Sequence, residues 1–254
     1  MSDTVAAFLA ECADLDALVA DLDVGGWARP TPAEGWTVAH QIAHLAWTDE
    51  VALLAATRPG DFAIEVELAT VDPLGHADRR AEEGVMAPPA QLLARWREGR
   101  ERLADALRPA PEGTRLPWFG PPMGPRSMAT ARLMETWAHG QDVADALGVR
   151  REPTDRLREV CHLGVRTRDF AYVITDRVPP QAPFRIELTA PAGGVWTWGD
   201  ASTGDVVTGP AEDFALVVTQ RREVEDTDLV ATGEAAHWLT FAQAFAGAPK
   251  GARA

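Results

Sequence analysis

Two residues one helical turn apart, Glu135 and His139, are the first candidates for chemistry in this sequence. Residues four apart lie on the same face of a helix, one turn above the other. A carboxylate and an imidazole placed in this way can hold one cation between them. The same spacing also occurs in ordinary surface ion pairs, and the residues alone leave that alternative open.

A second helical stretch, residues 40–47, carries His40 and His44 on one face among apolar residues. A histidine in such surroundings is often a hydrogen-bonded core residue rather than a ligand. The stretch differs by one residue from the zinc-protease motif His-Glu-x-x-His, because Gln41 stands in the place of the glutamate. An amide cannot act as the general base of that motif, so a protease of this type is excluded.

Composition excludes several kinds of partner. The 254 residues include 24 basic and 38 acidic ones, which gives a formal charge of −14. Binding to nucleic acid needs clustered cations, so neither nucleic acid nor an anionic membrane surface is an expected partner. Cys12 and Cys161, the only cysteines, exclude a thiolate zinc site and a disulfide framework. With no signal-like N-terminus and no run of ~18 apolar residues, we expect a cytoplasmic protein.

The elements that must position these residues follow from the spacing of apolar side chains. The predicted helices cover residues 3–22, a stretch from a Thr37 N-cap to about residue 54, residues 89–107, and a stretch from a Ser127 cap to about Leu147. Gly148 is expected to end the last of these helices. Residues 59–88 have a mixed pattern and receive no assignment.

The pattern changes after Gly148. It predicts helices over residues 154–176, 212–221 and 234–245, and strands over residues 184–189, 194–198 and 205–208. A boundary near residues 148–153 therefore separates an N-terminal helical domain, residues 1–150, from a C-terminal domain of helices and strands, residues 151–254. The predicted fold class is α+β, with a four-helix bundle followed by a small α+β domain.

Two segments carry a resemblance to a known family. Residues 35–47, GWTVAHQIAHLAW, and residues 132–148, RLMETWAHGQDVADALG, resemble helices of the DinB-like superfamily, closest to its mycothiol-dependent maleylpyruvate isomerases. The resemblance covers about residues 1–150 and implies three zinc ligands, His44, Glu135 and His139. His40 falls outside the family pattern, so we expect a structural or supporting role and keep it as a reserve ligand. The C-terminal residues resemble more loosely the family's small domain, akin to sterol-carrier folds.

This ligand set suits catalytic rather than structural zinc. Two neutral imidazoles and one carboxylate leave a Zn²⁺ complex with a charge of about +1 and an open coordination position. A thiol bound at that position is deprotonated, which makes it a nucleophile at neutral pH. The resemblance implies mycothiol as the thiol and a small electrophilic molecule as the substrate. An isomerase and an S-transferase are equally compatible with it, and other divalent metals could occupy the same ligands.

Further residues are candidates for supporting roles. Asp142 could orient the imidazole of His139, or equally pair with solvent or cap a neighbouring helix. Trp47 and Trp137 could line the pocket of the thiol cosubstrate, although core packing is the commoner role of such residues. The candidates for gripping a substrate carboxylate are Arg79, Arg80, Arg126 and Arg221. The loop over residues 118–125 could form a rim or lid, or be a plain connector.

Two other functions stay open from the sequence. One is metal-dependent hydrolysis, in which zinc-bound hydroxide replaces the thiol as the attacking group. The other is a non-catalytic protein whose C-terminal domain binds an apolar small molecule. The sequence predicts neither the substrate nor the oligomeric state.

Overall fold

The structure is a computed structural model that describes residues 2–73, 75–111 and 113–247. The chain divides into two compact units, Met1–Arg151 and Glu152–Ala254. Each unit is described by itself below.

Four long helices build the first unit. They are α1 (Ser2–Val19), α3 (Val38–Thr57), α6 (Pro89–Leu107) and α7 (Pro125–Leu147), and shorter helices α2 (Val24–Trp27), α4 (Pro59–Val71) and α5 (His76–Val85) connect them. Helix α3 packs against both α6 and α7, and α1 packs against the same two helices. The helical N-terminal region predicted from the sequence is thereby confirmed.

The core of this unit follows from side-chain spacing. In α1 the fully buried residues recur every three or four positions, at Val5, Phe8, Cys12, Leu15 and Val19. This spacing places them on one stripe of the helix, which faces the neighbouring helices. Of the acidic residues between them, Asp14 is exposed, whereas Glu11 and Asp16 are buried and pair with arginines.

Local sequence fixes where helix α3 begins and where helix α7 begins and ends. At the start of α3 the backbone N–H of Thr37 donates to Nδ1 of His40, 3.2 Å away. Helix α7 begins at Pro125, after Gly124 at the N-cap, so the prediction of a Ser127 cap is wrong. Proline suits the first helical position because its fixed φ is helical and it needs no partner for an N–H. Gly148 ends α7 with a left-handed φ of 71°.

The segment left unassigned in the sequence, residues 59–88, forms helices α4 and α5. Several apolar residues of α4 face solvent, among them Ile64 and Val71, which are 56% and 83% exposed. Helix α5 lies very close to α3, since a Cβ added to Gly84 would be 2.6 Å from the Cβ of Ala43. Only a residue without a side chain allows the two backbones to approach so closely.

The second unit combines a small sheet with short helices. Its elements are α8 (Leu157–Arg166), α9 (Arg168–Ile174), β1 (Arg185–Thr189), β2 (Val195–Trp198), β3 (Val206–Pro210), α10 (Ala211–Val218), a 3-10 turn (Val224–Asp226), β4 (Val230–Ala231) and α11 (Gly233–Leu239). The strand order is β2-β1-β3-β4, with β1 parallel to β3 and the outer pairs antiparallel. The α+β fold class is confirmed.

Most elements of this unit lie where the sequence predicted them. The three predicted strands correspond to β1, β2 and β3, while the two-residue strand β4 was missed. The single helix predicted over residues 154–176 is two helices, which meet at Thr167. Its hydroxyl bonds to the carbonyl of Leu163, and such local bonding competes with the regular helical ladder.

In the described ranges no helix is both long enough and apolar enough to cross a membrane.

Candidate metal centre

Three side chains from two helices converge in the first unit. His44 lies on α3, and Glu135 and His139 lie one turn apart on α7, which packs against α3. Each offers a ligand atom, and these three atoms lie within 4.8 Å of one another. Oε2 of Glu135 is 3.4 Å from Nε2 of His44 and 3.2 Å from Nε2 of His139.

Burial sets the charges of this cluster. The side chains of His44, Glu135 and His139 are 11%, 18% and 12% exposed. Loss of hydration, and then the nearby charge of His139, lower the pKa of His44 to about 4, so its imidazole is neutral at pH 7. Burial alone would raise the pKa of Glu135, but its contacts with the two histidines and the charge of Arg132 hold that pKa well below its usual range. The cluster therefore combines a carboxylate with imidazole nitrogen.

A chain of hydrogen bonds determines which nitrogen of His139 faces the cluster. The hydroxyl of Thr31 donates to the carbonyl of Trp36, 3.1 Å away, so its oxygen is the acceptor for Nε2 of Gln41, at 2.8 Å. The amide oxygen of Gln41 then faces Nδ1 of His139 at 2.5 Å and accepts its proton. The tautomer of His139, with its proton on Nδ1, is assigned from this hydrogen-bond network. It leaves Nε2 of His139 as the atom available for a cation.

The two oxygens of Glu135 have different surroundings. Oε2 faces both imidazoles, whereas Oε1 lies 3.8 Å from Nη2 of Arg132. Arg132 is 3% exposed, and its guanidinium lies 5.6 Å from the ring centre of Trp118. The carboxylate therefore presents one oxygen to the two imidazoles and the other to a buried cation.

Aromatic rings wall the cluster. Trp36 stacks on His139 with ring centres 5.9 Å apart and an interplanar angle of 16°, and its Nε1 donates to Asp78 at 3.1 Å. The ring of Trp47 stands edge to face with His44 at 5.8 Å. Such rings exclude water from the neighbouring groups, which strengthens electrostatic interactions inside the site.

Two of the three distances between the donor atoms have the size expected around a divalent metal ion. Two ligands, each about 2.1 Å from a tetrahedral zinc, are separated by about 3.4 Å. The two distances from Oε2 of Glu135 to the imidazole nitrogens have this size. Two nitrogen donors and one carboxylate also match the donor set of catalytic zinc sites, which keep one position open.

The structure gives the contacts of three other residues considered for the site, Trp137, Asp142 and His40. Trp137 is buried, and its ring lies 5.9 Å from the guanidinium of Arg151. Oδ2 of Asp142 is 3.9 Å from Nδ1 of His139, beyond hydrogen-bonding distance, and the structure places Gln41 in the orienting position expected for Asp142. His40 bonds to Glu82 at 2.8 Å in addition to its contact with Thr37, so its contacts are those of a structural residue.

The four candidate arginines lie on α5, on α7 and in the second unit. Arg126 is exposed in the first turn of α7, nine residues and about 13 Å along the axis from Glu135. Arg79 pairs with Asp72, and Arg80 pairs with Glu65 and Glu83. Arg221 belongs to the second unit, where it donates to the carbonyl of Thr219. Their roles in substrate binding stay predictions.

Two residues that contact the cluster were not proposed for it from the sequence, Gln41 and Trp36. Gln41 was considered only as a general base and excluded. Its position three residues before His44, on the same helical face, was the available signal. Trp36 received no role in the site from the sequence, because no local pattern marks a ring that stacks on a residue about a hundred positions away.

Comparison with known proteins gives one family match and two relatives of high identity. Residues 8–144 match the family described as "Mycothiol maleylpyruvate isomerase N-terminal domain". Two Mycobacterium tuberculosis proteins, from strains CDC 1551 / Oshkosh and H37Rv and both named as uncharacterized, are each 55% identical over 246 residues, which is 96% of either chain.

Two crystal structures share the fold. They are a mycothiol-dependent maleylpyruvate isomerase, with a TM-score of 0.58, and a histidine-to-alanine mutant of a mycothiol-dependent maleylpyruvate isomerase, with a TM-score of 0.59. Each is 15% identical to this chain; the matches cover 91% and 89% of it, and 92% and 91% of the two solved chains. At this identity the similarity shows the fold alone.

Proposed function

Because the chain belongs to the family of the mycothiol maleylpyruvate isomerase N-terminal domain, we propose that it is a zinc-dependent enzyme that uses mycothiol. The thiol would attack a small electrophilic molecule, either to isomerise it or, as an S-transferase does, to remain joined to it through a carbon–sulfur bond. The solved relatives of the same fold are mycothiol-dependent maleylpyruvate isomerases, which supports the choice of thiol.

One observation carries the proposal, namely the convergence of three potential donor atoms. With a proton on Nδ1, His139 directs Nε2 toward Oε2 of Glu135, 3.2 Å away, and His44 directs its Nε2 toward the same oxygen. Electron-rich atoms this close repel one another unless positive charge lies between them. A proton can supply that charge for one pair, whereas a divalent cation supplies it for all three donors.

Each residue of the cluster has a definable part in the proposed reaction. His44, Glu135 and His139 would hold the zinc, which when bound lowers the pKa of a thiol placed on it. Gln41 keeps His139 in the required tautomer. The rings of Trp36 and Trp47 limit access of water, which protects the nucleophile and strengthens the local field.

The proposal is tested by His44→Ala, with His40→Gln as the matched control. His40 contacts Thr37 and Glu82 rather than the cluster, and glutamine at that position can still bond to the N-cap backbone. We expect about one zinc per chain in the wild type and in His40→Gln, and little in His44→Ala.

The same proteins are then compared for mycothiol binding by calorimetry, with and without chelator, and for mycothiol-dependent turnover of maleylpyruvate and of other electrophiles. Binding that requires the metal and His44 supports the proposal. Full metal content and unchanged mycothiol binding in His44→Ala would refute it.

A further inference from the structure

Two opposite charges lie buried next to the metal centre without forming an ion pair. Asp49 on α3 is 0% exposed, and Arg132 on α7 is 3% exposed. Across the described ranges, neither oxygen of Asp49 has a hydrogen-bond partner, and neither do Nε and Nη1 of Arg132. Buried charges are normally paired, so this arrangement calls for a physical explanation.

These two residues belong to the same two helices as the proposed ligands. Asp49 follows His44 on α3, and Arg132 precedes Glu135 by three residues on α7, which places it on the same face. Burial raises the pKa of Asp49 to about 7, although the charge of Arg132 and the nearby indole N–H of Trp96 favour its ionised form. The two charges therefore act on each other across the packed helices α3 and α7.

Arg132 also acts on one particular oxygen of Glu135. Its Nη2 is 3.8 Å from Oε1, while Oε2 faces the two imidazoles. The terminal torsion of a glutamate is soft, so a carboxylate rotates easily unless something holds it. The charge of Arg132, which is itself packed near the ring of Trp118, attracts Oε1 and so biases this torsion.

We propose that Arg132 is a positioning residue that restricts Glu135 to binding the metal through Oε2 alone, and that Asp49 neutralises the charge of Arg132 beside the metal. This inference rests on the metal centre of the proposed function. Restricting Glu135 to one oxygen keeps a coordination position open, which a catalytic zinc needs. Neutralisation matters because an unbalanced guanidinium would repel the cation that the site must bind.

Each half of the inference has its own variant. Arg132→Met removes the charge and the donors but keeps an extended side chain, so Glu135 becomes free to bind through both oxygens. Asp49→Asn keeps the shape and leaves the charge of Arg132 unbalanced, so we expect metal affinity about 10- to 100-fold lower, the usual effect of losing an outer partner of a metal site. In the double variant both charges are absent, and most of that affinity should return.

The measurement uses the full-length protein loaded with Co²⁺, whose visible absorption weakens when the coordination number rises from four to five. X-ray absorption spectroscopy gives the combined number of nitrogen and oxygen neighbours independently, and competition with a chelator gives the affinity. We expect a higher coordination number in Arg132→Met and in the double variant, and the wild-type number in Asp49→Asn. Arg126→Met, the same substitution at an exposed position of the same helix, should leave spectrum and affinity unchanged.

Arg132→Lys keeps the cation in the buried pair and is the variant to use if Arg132→Met fails to fold. Lysine offers one flexible ammonium in place of a rigid fork, so we expect near wild-type affinity with a partial shift in the cobalt spectrum. Identical spectra in the wild type and in every Arg132 variant, or unchanged affinity in Asp49→Asn, would overturn the inference while leaving the metal centre intact. A wild type that takes up no cobalt or zinc overturns the metal centre, and the inference with it.

Discussion

The hydrogen bond between Gln41 and His139 gives a quantitative test of the proposed centre. Gln41→Leu keeps a side chain of similar size but removes the oxygen that accepts the proton of Nδ1. His139 then loses the bond that selects its tautomer. A buried neutral hydrogen bond contributes about 0.5–1.5 kcal/mol, and the freedom of the tautomer adds to this. We expect zinc binding to weaken by about 1–2 kcal/mol, which is about 5- to 30-fold.

The assay is competition for zinc between the protein and a chromophoric chelator at pH 7.5. Gln41→Glu is the matched control, because its carboxylate still accepts the proton of Nδ1 and makes the imidazole a stronger donor. Its affinity should equal or exceed that of the wild type. Both variants alter the amide group of the same residue, so a general disturbance of α3 cannot explain opposite effects.

One result would refute this reasoning. If Gln41→Leu binds zinc as tightly as the wild type while its fold is retained, the hydrogen-bond chain from Thr31 does not select the tautomer of His139. Equal losses in both variants would also count against it, because only the leucine removes the acceptor.

Two further predictions concern stability. Asp16 accepts hydrogen bonds from Arg97 and from Arg100, which lower its pKa. Because the pKa of Asp16 is lower in the folded than in the unfolded state, these bonds stabilise the fold above about pH 4, and that stabilisation is lost as the pH falls. Urea melts should therefore show Asp16→Asn about 2 kcal/mol less stable at pH 7, after discounting the half-exposed Arg97, and a smaller difference at pH 3. Gly84→Ala should lower the free energy of unfolding by about 1–2 kcal/mol, because the new Cβ would lie 2.6 Å from that of Ala43. Gly99→Ala on α6 is the control: its new Cβ meets nothing within 4 Å, so it should raise the free energy of unfolding by about 0.5–1 kcal/mol. Equal shifts for the two alanines would contradict the close approach of α5 to α3.

The sequence predicted the long helices well because their apolar spacing matches what they bury. It failed for α4, where residues such as Ile64 and Val71 are apolar but exposed, so the hydrophobic pattern and the buried face disagree. The start of α7 was placed too late because Ser127 is a good capping residue in isolation. The actual start depends on Pro125, which suits the first turn as well.

The candidate site divides in a similar way. Glu135 and His139 are visible from local spacing, and His44 entered through the resemblance to a family. The contact between Gln41 and His139 joins residues 98 positions apart, and nothing in either local segment shows that they meet. The same holds for Asp49 and Arg132, whose relation exists only after α3 and α7 have packed.

The hydrogen-bond chain that starts at the carbonyl of Trp36 also bears on protein engineering. Anyone who transplants this centre into another bundle would copy His44, Glu135 and His139 and expect a binding site. Without Gln41 and the hydroxyl of Thr31 behind it, the recipient would leave the ring of His139 free to turn either edge inward. The smallest transferable unit is therefore five side chains and one backbone carbonyl, drawn from a helix, the loop before it, and the helix opposite.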